Sequence, residues 1–327
     1  MIAYSSGNHA QAVASAARLV GTRALIVMPD DAPSNKVART RELGARIVTY
    51  DRSVEVREEV AARIGAERNR VMVPPNEDAR VLAGAGTVAL ELVRQAEALG
   101  ATPDAVLVPC GGGGLTAATA LVFEALSPAT KVFGVEPELF DDTRRSLEAG
   151  ERLANPKGRT TICDAIMTDR PGALTFSINR ERLGGVLTVS DDDVRSAMKL
   201  AFDWFKIVVE PGAAVGLAAV FRHKLDIEGK TIAVIATGGN VDAASFCAAL
   251  DAAASNAAPV SGERSTRASP PPPAWRSPGS TLLARGRSRK VTGVRNVTGV
   301  GSCNHARPWW PIGSDSSPAP APVAPLH

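Results

Sequence analysis

Short runs of continuous apolar residues alternate with longer segments of helical periodicity from the start of the chain to about residue 250. Uninterrupted apolar runs are typical of strands that are buried on both faces, as in parallel sheets covered by helices. The pattern predicts such strands at residues 23–29, 45–50, 70–73, 105–110, 131–135 and 231–236. We therefore expect an α/β protein with two open α/β domains and parallel twisted sheets.

The strands and helices fall into two series. The first predicts a small α/β domain at residues 1–76, and the second, which opens with a long helix from residue 79, predicts a large domain at residues 77–254. In open α/β sheets, ligands bind beyond the carboxyl ends of the strands. We therefore expect the functional site in the cleft between the two domains.

The last part of the chain, residues 255–327, has a different composition. It holds twelve of the 23 prolines and has neither sustained helical nor alternating periodicity, and residues 318–322 are of low complexity. We predict a disordered Pro/Arg-rich tail, an unselected extension beyond a natural end near Leu250. Basic segments with tryptophans can bind nucleic acid, but this one has no recognisable binding module, so no nucleic-acid partner is expected.

Net charge and cysteine content indicate the class of protein and its compartment. The tail has a net charge of +7 and the whole chain one of +3, which leaves −4 for the rest, an ordinary value for a cytosolic enzyme. The sequence has no apolar run of membrane-spanning length and no signal peptide. Its four cysteines lack metal or disulfide spacing, so reduced thiols are expected. These features predict a cytoplasmic protein with no membrane partner.

Four consecutive glycines, Gly111 to Gly114, lie between an apolar run and a helical stretch. A strand that ends in glycines and opens into a helix exposes backbone N–H groups at the positive end of the helix dipole, which suits a phosphate. The segment is neither a P-loop nor a G-x-G-x-x-G loop. A glycine-rich turn without a ligand is the alternative interpretation.

Two further segments offer donors in a similar way. Residues 5–9, Ser-Ser-Gly-Asn-His, precede an alanine-rich helix whose free N–H groups suit a carboxylate. The amide of Asn8 can also donate to a phenolic oxygen. Near the other end, an apolar strand ends at Thr237, which two glycines follow. Each motif is weak alone, but all three in this order and at this separation are highly specific.

Together these motifs resemble the fold-type II pyridoxal-phosphate (PLP) enzymes, which have a tryptophan synthase β-like fold, and in particular the threonine/serine dehydratase and serine racemase family. The resemblance covers roughly residues 1–250. It implies that residues 5–9 hold the substrate carboxylate, with substrate contacts from Ser5, Ser6, Gly7 and His9. It also implies PLP as the cofactor and a small amino acid as the substrate.

The same resemblance assigns the cofactor contacts. Asn8 contacts the 3-hydroxyl of PLP, and the loop from Gly111 through Gly112 and Gly113 to Gly114 cradles its phosphate. Thr237 faces the pyridine nitrogen, where the family usually has a serine, and Glu210 lies near the ring. A Glu at the start of a surface helix is the alternative interpretation for Glu210. A neutral hydroxyl partner leaves the pyridine largely unprotonated.

The implied reaction is a threonine/serine ammonia-lyase reaction. In the family, a lysine removes the α-proton, the β-hydroxyl leaves, and the product decays to a 2-oxo acid and ammonia. Serine racemisation, with Ser6 as a second base, and hydroxyaspartate dehydration are alternatives within the fold. A non-catalytic remnant or a gene fragment is an alternative of another class. Family members are homo-oligomers, so a dimer is expected.

The family's Schiff-base lysine is expected in a Ser/Asn-x-Lys-x-Arg-Gly-Ala segment before the Ser-Ser-Gly-Asn-His motif. This sequence begins four residues before that motif, and none of its eight lysines has that context. We therefore expect a chain that lacks an N-terminal portion, with both domains incomplete, and that is inactive as written.

An acidic turn follows the predicted strand at residues 131–135. Glu136 and Asp142 are six residues apart, with the carbonyl of Phe140 between them, and oxygen ligands of this kind suit a hard divalent cation. The resemblance implies Mg²⁺ or Ca²⁺ at these three positions. A solvated acidic turn is the alternative.

Overall fold

The computed structural model describes residues 1–32, 34–255, 281–287 and 290–297. Its first sheet has three parallel strands in the order β1 (Ile2–Tyr4), β2 (Leu25–Pro29) and β3 (Arg46–Tyr50). Three helices accompany the sheet: α1 (Asn8–Leu19), α2 (Ser34–Glu42) and α3 (Arg57–Glu67). The α/β alternation predicted from the apolar runs is thus present in this part of the chain.

Alternate residues of these strands contact different helices. Ala3, Ile26 and Met28 pack with the alanine-rich face of α1, whereas Ile2 and Val27 pack with the apolar face of α3. Both faces of the strands are therefore buried, which explains why they read as continuous apolar runs.

The strand predicted at residues 70–73 is not formed. Only one parallel bridge, between Ile2 and Met72, joins this segment to β1, supported by backbone hydrogen bonds from Ile2 to Val71 and from Val73 to Ile2. Two prolines follow immediately, and proline has no N–H to continue a ladder. The prediction of a strand was wrong because the residues of this segment favour strands but pair with β1 at a single position.

The second sheet has the order β6-β5-β4-β7-β8-β9. Its parallel strands are β4 (Ala105–Pro109), β5 (Lys131–Pro137), β6 (Gly185–Val189) and β7 (Thr231–Ile235), and the antiparallel pair β8 (Thr281–Arg287) and β9 (Lys290–Val297) extends it beyond β7.

The two antiparallel strands lie within residues 255–327, for which the disordered tail stays a prediction. The second segment contains three Val and one Thr, residues that favour strands, and the first contains one Thr and two Leu. They pair onto β7, whose edge would otherwise present unpaired N–H and C=O groups. The rest of the tail lies outside the described residues, and the boundaries at residues 76 and 254 stay predictions.

Helices cover both faces of the second sheet. They are α4 (Ala79–Ala98), α5 (Gly114–Leu126), α6 (Asp142–Ala149), α7 (Ala173–Arg182), α8 (Asp191–Leu200), α9 (Pro211–Phe221) and α10 (Ala243–Ser255). Helices α4 and α5 pack on one face, with Val106 and Ile235, while α8 and α9 pack on the other, with Leu107 and Val234. Within the described part of the chain, every helix is too short or too polar to span a bilayer.

The strand order contains one reversal of direction. From β4 the chain proceeds to β5 and then β6 on one side, and it later returns to form β7 on the other side of β4. Such a reversal opens a crevice beyond the carboxyl ends of the two strands, where ligands bind in open α/β sheets. The fold therefore places its binding crevice between the ends of β4 and β7.

The close packing of α9 on this sheet gives a stability prediction. A Cβ at Gly216 would lie 2.8 Å from Val234 Cγ1, whereas a Cβ at Gly84, in α4, has no neighbour within 4 Å. Gly216→Val should therefore lower the free energy of unfolding by about 2 kcal/mol through overpacking. The matched change Gly84→Val should stay within about 0.5 kcal/mol of the parent. Urea unfolding measures both, and equal effects would contradict this packing.

Candidate active site

The domain that contains the first sheet contacts the domain that contains the second sheet near the end of β7. The Asn8 side chain, in the first turn of α1, donates from Nδ2 to Glu210 Oε1 at 2.6 Å. Asn240 donates from Nδ2 to Asn8 Oδ1 at 2.8 Å. Asn8 is thus fixed between two residues of the larger domain, and the cleft brings together the Ser-Ser-Gly-Asn-His segment and the Thr-Gly-Gly-Asn segment.

The tetraglycine loop connects β4 to α5 and has little room for side chains. A Cβ at Gly112 would overlap the Asn76 side-chain amide, and one at Gly111 would lie 3.0 Å from Ile166 Cα. Gly113 has φ +85°, in the left-handed region that favours glycine. Glycine is therefore required at these positions by close neighbours and by backbone conformation.

The N–H groups of this loop are available to a ligand. Within the described residues, those of Gly111 to Gly114 are donated to no backbone carbonyl or side chain. Helix α5 begins at Gly114, so these N–H groups lie at the positive end of its dipole. The loop therefore fits a phosphate group.

The first turn of α1 offers a second set of donors. Ser5 Oγ accepts from the Gly7 N–H at 3.1 Å, and the helix has no side-chain cap. The side chain of His9 is already engaged, because its Nε2 lies 2.8 Å from the Val73 carbonyl. A carbonyl only accepts, so this nitrogen carries the proton, and burial lowers the pKa of the imidazole. For His9, the backbone N–H is therefore the donor that remains available to a ligand.

Glu210 is a buried acid at the start of α9. Its N–H donates to the Gly238 carbonyl at 3.0 Å, and Pro211 occupies the first helical position. Burial raises the pKa of its carboxyl group, against the hydrogen bond from Asn8. A Cβ at Gly238, where φ is +123°, would overlap this carboxylate. Thr237 lies just before this glycine, exposed at the carboxyl end of β7.

A cross-cleft ion pair was missed by the sequence analysis. Lys36, on α2, pairs with Asp164 of the single helical turn Asp164–Ile166. The ammonium group also opposes the raised pKa of Glu210, whereas Asp164 contributes to it. Helix α2 reads as an ordinary charged surface helix, so only the tertiary structure brings Lys36 to the cleft.

The two candidate carboxylates at the end of β5 and the start of α6, Glu136 and Asp142, are buried rather than solvated. Both oxygens of Glu136, which is 0% exposed, accept backbone N–H groups of α6, from Thr143 and Arg144, at 3.0 Å each. Asp142 accepts from Asn155 Nδ2 at 2.6 Å through Oδ1, but its buried Oδ2 has no partner. Burial raises the pKa of Glu136 to about 8 and that of Asp142 to about 6. Phe140, in the turn between them, is also buried.

This turn is the candidate cation site of the sequence analysis. Within the described residues, no group of three or more His, Cys, Asp or Glu side chains could hold a metal ion. A cation at Glu136 and Asp142 would therefore need carbonyl or water ligands as well. The unpartnered Asp142 oxygen is the observation that fits one.

Comparison with known proteins identifies the scaffold. Residues 1–238 match the family model described as pyridoxal-phosphate dependent enzyme. An L-threo-3-hydroxyaspartate ammonia-lyase of Saccharomyces cerevisiae is 43% identical over 244 residues, covering 74% of this chain and 73% of the relative. A serine racemase of Schizosaccharomyces pombe is 40% identical, with the same coverage of both chains.

A solved structure has the same fold. The crystal structure of a T.th. threonine deaminase superposes with a TM-score of 0.69 at 47% identity, covering 74% of this chain and 77% of that one. The sequence prediction of a fold-type II architecture is confirmed. With a family model over most of its length and several relatives near 40% identity, this chain belongs to the family of pyridoxal-phosphate dependent enzymes.

Proposed function

We propose that the protein is a PLP-dependent ammonia-lyase that converts threonine or serine to a 2-oxo acid and ammonia. The observation that carries the proposal is the row of undonated N–H groups at Gly111 to Gly114, at the crevice between β4 and β7. A phosphate-bearing cofactor matches these donors. The names of the relatives, among them a threonine deaminase and an L-threonine ammonia-lyase, support the reaction class.

PLP, when bound, supplies an electron sink for the substrate's α-carbon. In this proposal the N–H groups of the glycine loop hold its phosphate. Asn8 donates to its 3-oxygen while Glu210 and Asn240 fix the Asn8 amide. The Thr237 hydroxyl, which is exposed, would meet the pyridine nitrogen, and Glu210, which is buried, would lie beside the ring.

The amino-acid substrate is held by the first turn of α1. Its carboxylate would accept from backbone N–H groups between Ser5 and His9, at the positive end of a 12-residue helix. The proton at the α-carbon is moved by a lysine in the family. None of the eight lysines here has the family's surrounding motif, so we assign this step to none of them.

Two related reactions remain candidates on the same scaffold. Relatives at 43% and 42% identity are named L-threo-3-hydroxyaspartate ammonia-lyases, and relatives at 40% and 39% are named serine racemases. Racemisation needs a second base on the opposite face of the substrate, and Ser6 is the residue we propose for it. A homodimer and a cytoplasmic location stay predictions from the sequence.

We also propose that Glu136, the Phe140 carbonyl and Asp142 bind Mg²⁺ or Ca²⁺. Two buried carboxylates whose pKa values are raised by burial are stabilised as anions by a cation. The unpartnered Asp142 Oδ2 supplies a free ligand oxygen.

The reaction is tested on two proteins: the chain as printed, and the same chain preceded by a segment that carries the family's Ser/Asn-x-Lys-x-Arg-Gly-Ala motif. With PLP, the second protein should release ammonia and 2-oxo acid from L-threonine, L-serine or L-threo-3-hydroxyaspartate, because it has the base that moves the α-proton. Its control replaces the lysine of the added segment by alanine. A folded fusion that binds PLP but forms neither 2-oxo acid nor the opposite enantiomer would show that the assignment is wrong.

Cofactor contacts are tested by substitution and PLP titration. Gly113→Asp should abolish PLP binding, because the carboxylate repels the phosphate and the backbone has φ +85°. Gly150→Asp is the matched control: it has φ +75° but no neighbour within 4 Å of a Cβ, and it should bind normally. Thr237→Ala should cost only about 0.5–1.5 kcal/mol of binding free energy, the value of one hydrogen bond. An equal loss of PLP binding in Gly113→Asp and Gly150→Asp would contradict the assignment of the phosphate to the glycine loop.

The cation is tested by thermal unfolding in Mg²⁺ and Ca²⁺. Saturating cation should raise the melting temperature of the parent, since a ligand at roughly 100 times its Kd stabilises by about 2.7 kcal/mol. Asp142→Asn should lose this response. Asp141→Asn is the matched control, because both Asp141 oxygens are held by Arg144 and Arg145, so its response should persist. An unchanged response in Asp142→Asn would place the cation elsewhere.

A further inference from the structure

The carbonyl groups of the glycine loop are held from outside the loop. The Gly112 carbonyl accepts three hydrogen bonds: from Asn76 Nδ2 at 3.0 Å, from Thr175 Oγ1 at 2.6 Å and from the Gly172 N–H at 3.3 Å. The donors come from two distant segments, the one before α4 and the start of α7. A single carbonyl rarely needs so many partners for its own satisfaction, since it has two lone pairs.

The next carbonyl is held in the same way. The Gly113 carbonyl accepts from Asn179 Nδ2 at 3.2 Å, from Thr116 Oγ1 at 2.9 Å and from the Ala117 N–H at 3.0 Å. Asn179 also donates to Thr116 Oγ1 at 3.1 Å. Helix α7 therefore reaches both carbonyls, with side chains one helical turn apart.

These contacts orient the N–H groups of the loop. In a trans peptide, the C=O of one residue and the N–H of the next lie in one plane and point in opposite directions. Fixing the Gly112 carbonyl therefore fixes the Gly113 N–H, and fixing the Gly113 carbonyl fixes the Gly114 N–H. Both N–H groups then point away from α7, on the side where the phosphate was assigned.

Burial indicates that these polar side chains serve more than packing. Thr175 and Asn179 are both 0% exposed, and Asn179 Oδ1 is buried without a hydrogen-bond partner among the residues that the structure describes. A buried unsatisfied amide oxygen destabilises a fold relative to an apolar side chain of the same shape. The unsatisfied Asn179 oxygen therefore lowers the stability of the fold at this position. The hydrogen bond that Asn179 donates to the Gly113 carbonyl gives a reason for the presence of this residue.

The start of α7 is itself fixed by the neighbour of Asn76. Glu77 accepts the N–H groups of Ala173 and Leu174, at 3.0 and 3.3 Å, through Oε2. A carboxylate is favourable at a helix N-terminus. Residues 76 and 77 thus hold the glycine loop and the helix that anchors it in one arrangement.

We propose that Thr175 and Asn179 are positioning residues for the cofactor phosphate, which act through the Gly112 and Gly113 carbonyls and do not touch the cofactor. The inference rests on the proposed PLP site. Because the loop is held before the ligand arrives, binding does not have to order four glycines, which lose more conformational freedom than other residues.

The test uses the full chain and two probes, pyridoxine 5′-phosphate and pyridoxine, which differ only in the phosphate and cannot form an imine with a lysine. Thr175→Val removes the hydroxyl at similar volume, and Asn179→Leu removes the amide. Both should weaken pyridoxine 5′-phosphate binding about tenfold, equivalent to about 1.4 kcal/mol, and leave pyridoxine binding within about twofold. Dissociation constants come from fluorescence titration.

Two further variants separate positioning from general damage to the fold. Thr175→Ser keeps the hydroxyl and should bind pyridoxine 5′-phosphate within about threefold of the parent. Ser177→Ala lies on the same helix, where its exposed hydroxyl bonds only the Leu174 carbonyl, and should bind both probes as the parent does. Asn179→Leu removes the unsatisfied oxygen but also both hydrogen bonds that Nδ2 donates, so its unfolding free energy is measured beside its binding. If it fails to fold, the Thr175 pair decides the question alone.

The binding results distinguish a failure of the positioning role from a failure of the proposed PLP site. If the parent binds neither probe, the PLP site is wrong and the inference fails with it. If the parent binds pyridoxine 5′-phosphate and Thr175→Val binds it equally well, only the positioning role is wrong. Equal weakening of both probes would likewise overturn it, because a distorted cleft does not discriminate the phosphate.

Discussion

The parallel pairing of β4 with β7 is the constraint on which the site depends. It sets the carboxyl ends of two strands side by side, although about 120 residues separate them in the chain. The glycine loop leaves one strand and the Thr-Gly-Gly segment leaves the other. Helix α9, packed beneath both strands, then carries Glu210 to the same place. A different neighbour for β4 would separate these groups, whatever their sequence.

Electrostatics explains the hydrogen bonds and the ion pair that cross the cleft. Glu210 is buried and its pKa is raised by that burial, so it needs the hydrogen bond from Asn8 and the nearby Lys36 ammonium. Lys36 pairs in turn with Asp164, on the opposite side of the cleft. The small domain therefore contributes a neutral hydrogen-bond donor, Asn8, and a positive charge, Lys36. They face two acidic residues of the large domain. These contacts align helix α1, where we propose that the substrate carboxylate binds, with the crevice.

The same scaffold supports several reactions among the relatives, which bear the names of ammonia-lyases, racemases and a threonine deaminase. A common cofactor explains this breadth, because it supplies the electron sink and the protein decides where protons go. The anchored glycine loop belongs to the common part. Reaction choice depends on the few groups near the α-carbon, among which we propose Ser6.

Much of this protein was predictable from its sequence, because the relevant signals are local. The apolar strands, the helix that follows four glycines and the free N–H groups at the start of α1 depend on neighbouring residues and on backbone geometry. Tertiary structure decided the rest. Residues 70–73 have strand-forming composition but pair at only one position, and residues 281–287 and 290–297 form strands because the edge of β7 accepts them. Lys36, Thr175 and Asn179 carry no local signal. Their roles come from contacts over more than 60 residues of chain, and a hydrogen bond to a particular distant carbonyl leaves no periodicity in the sequence.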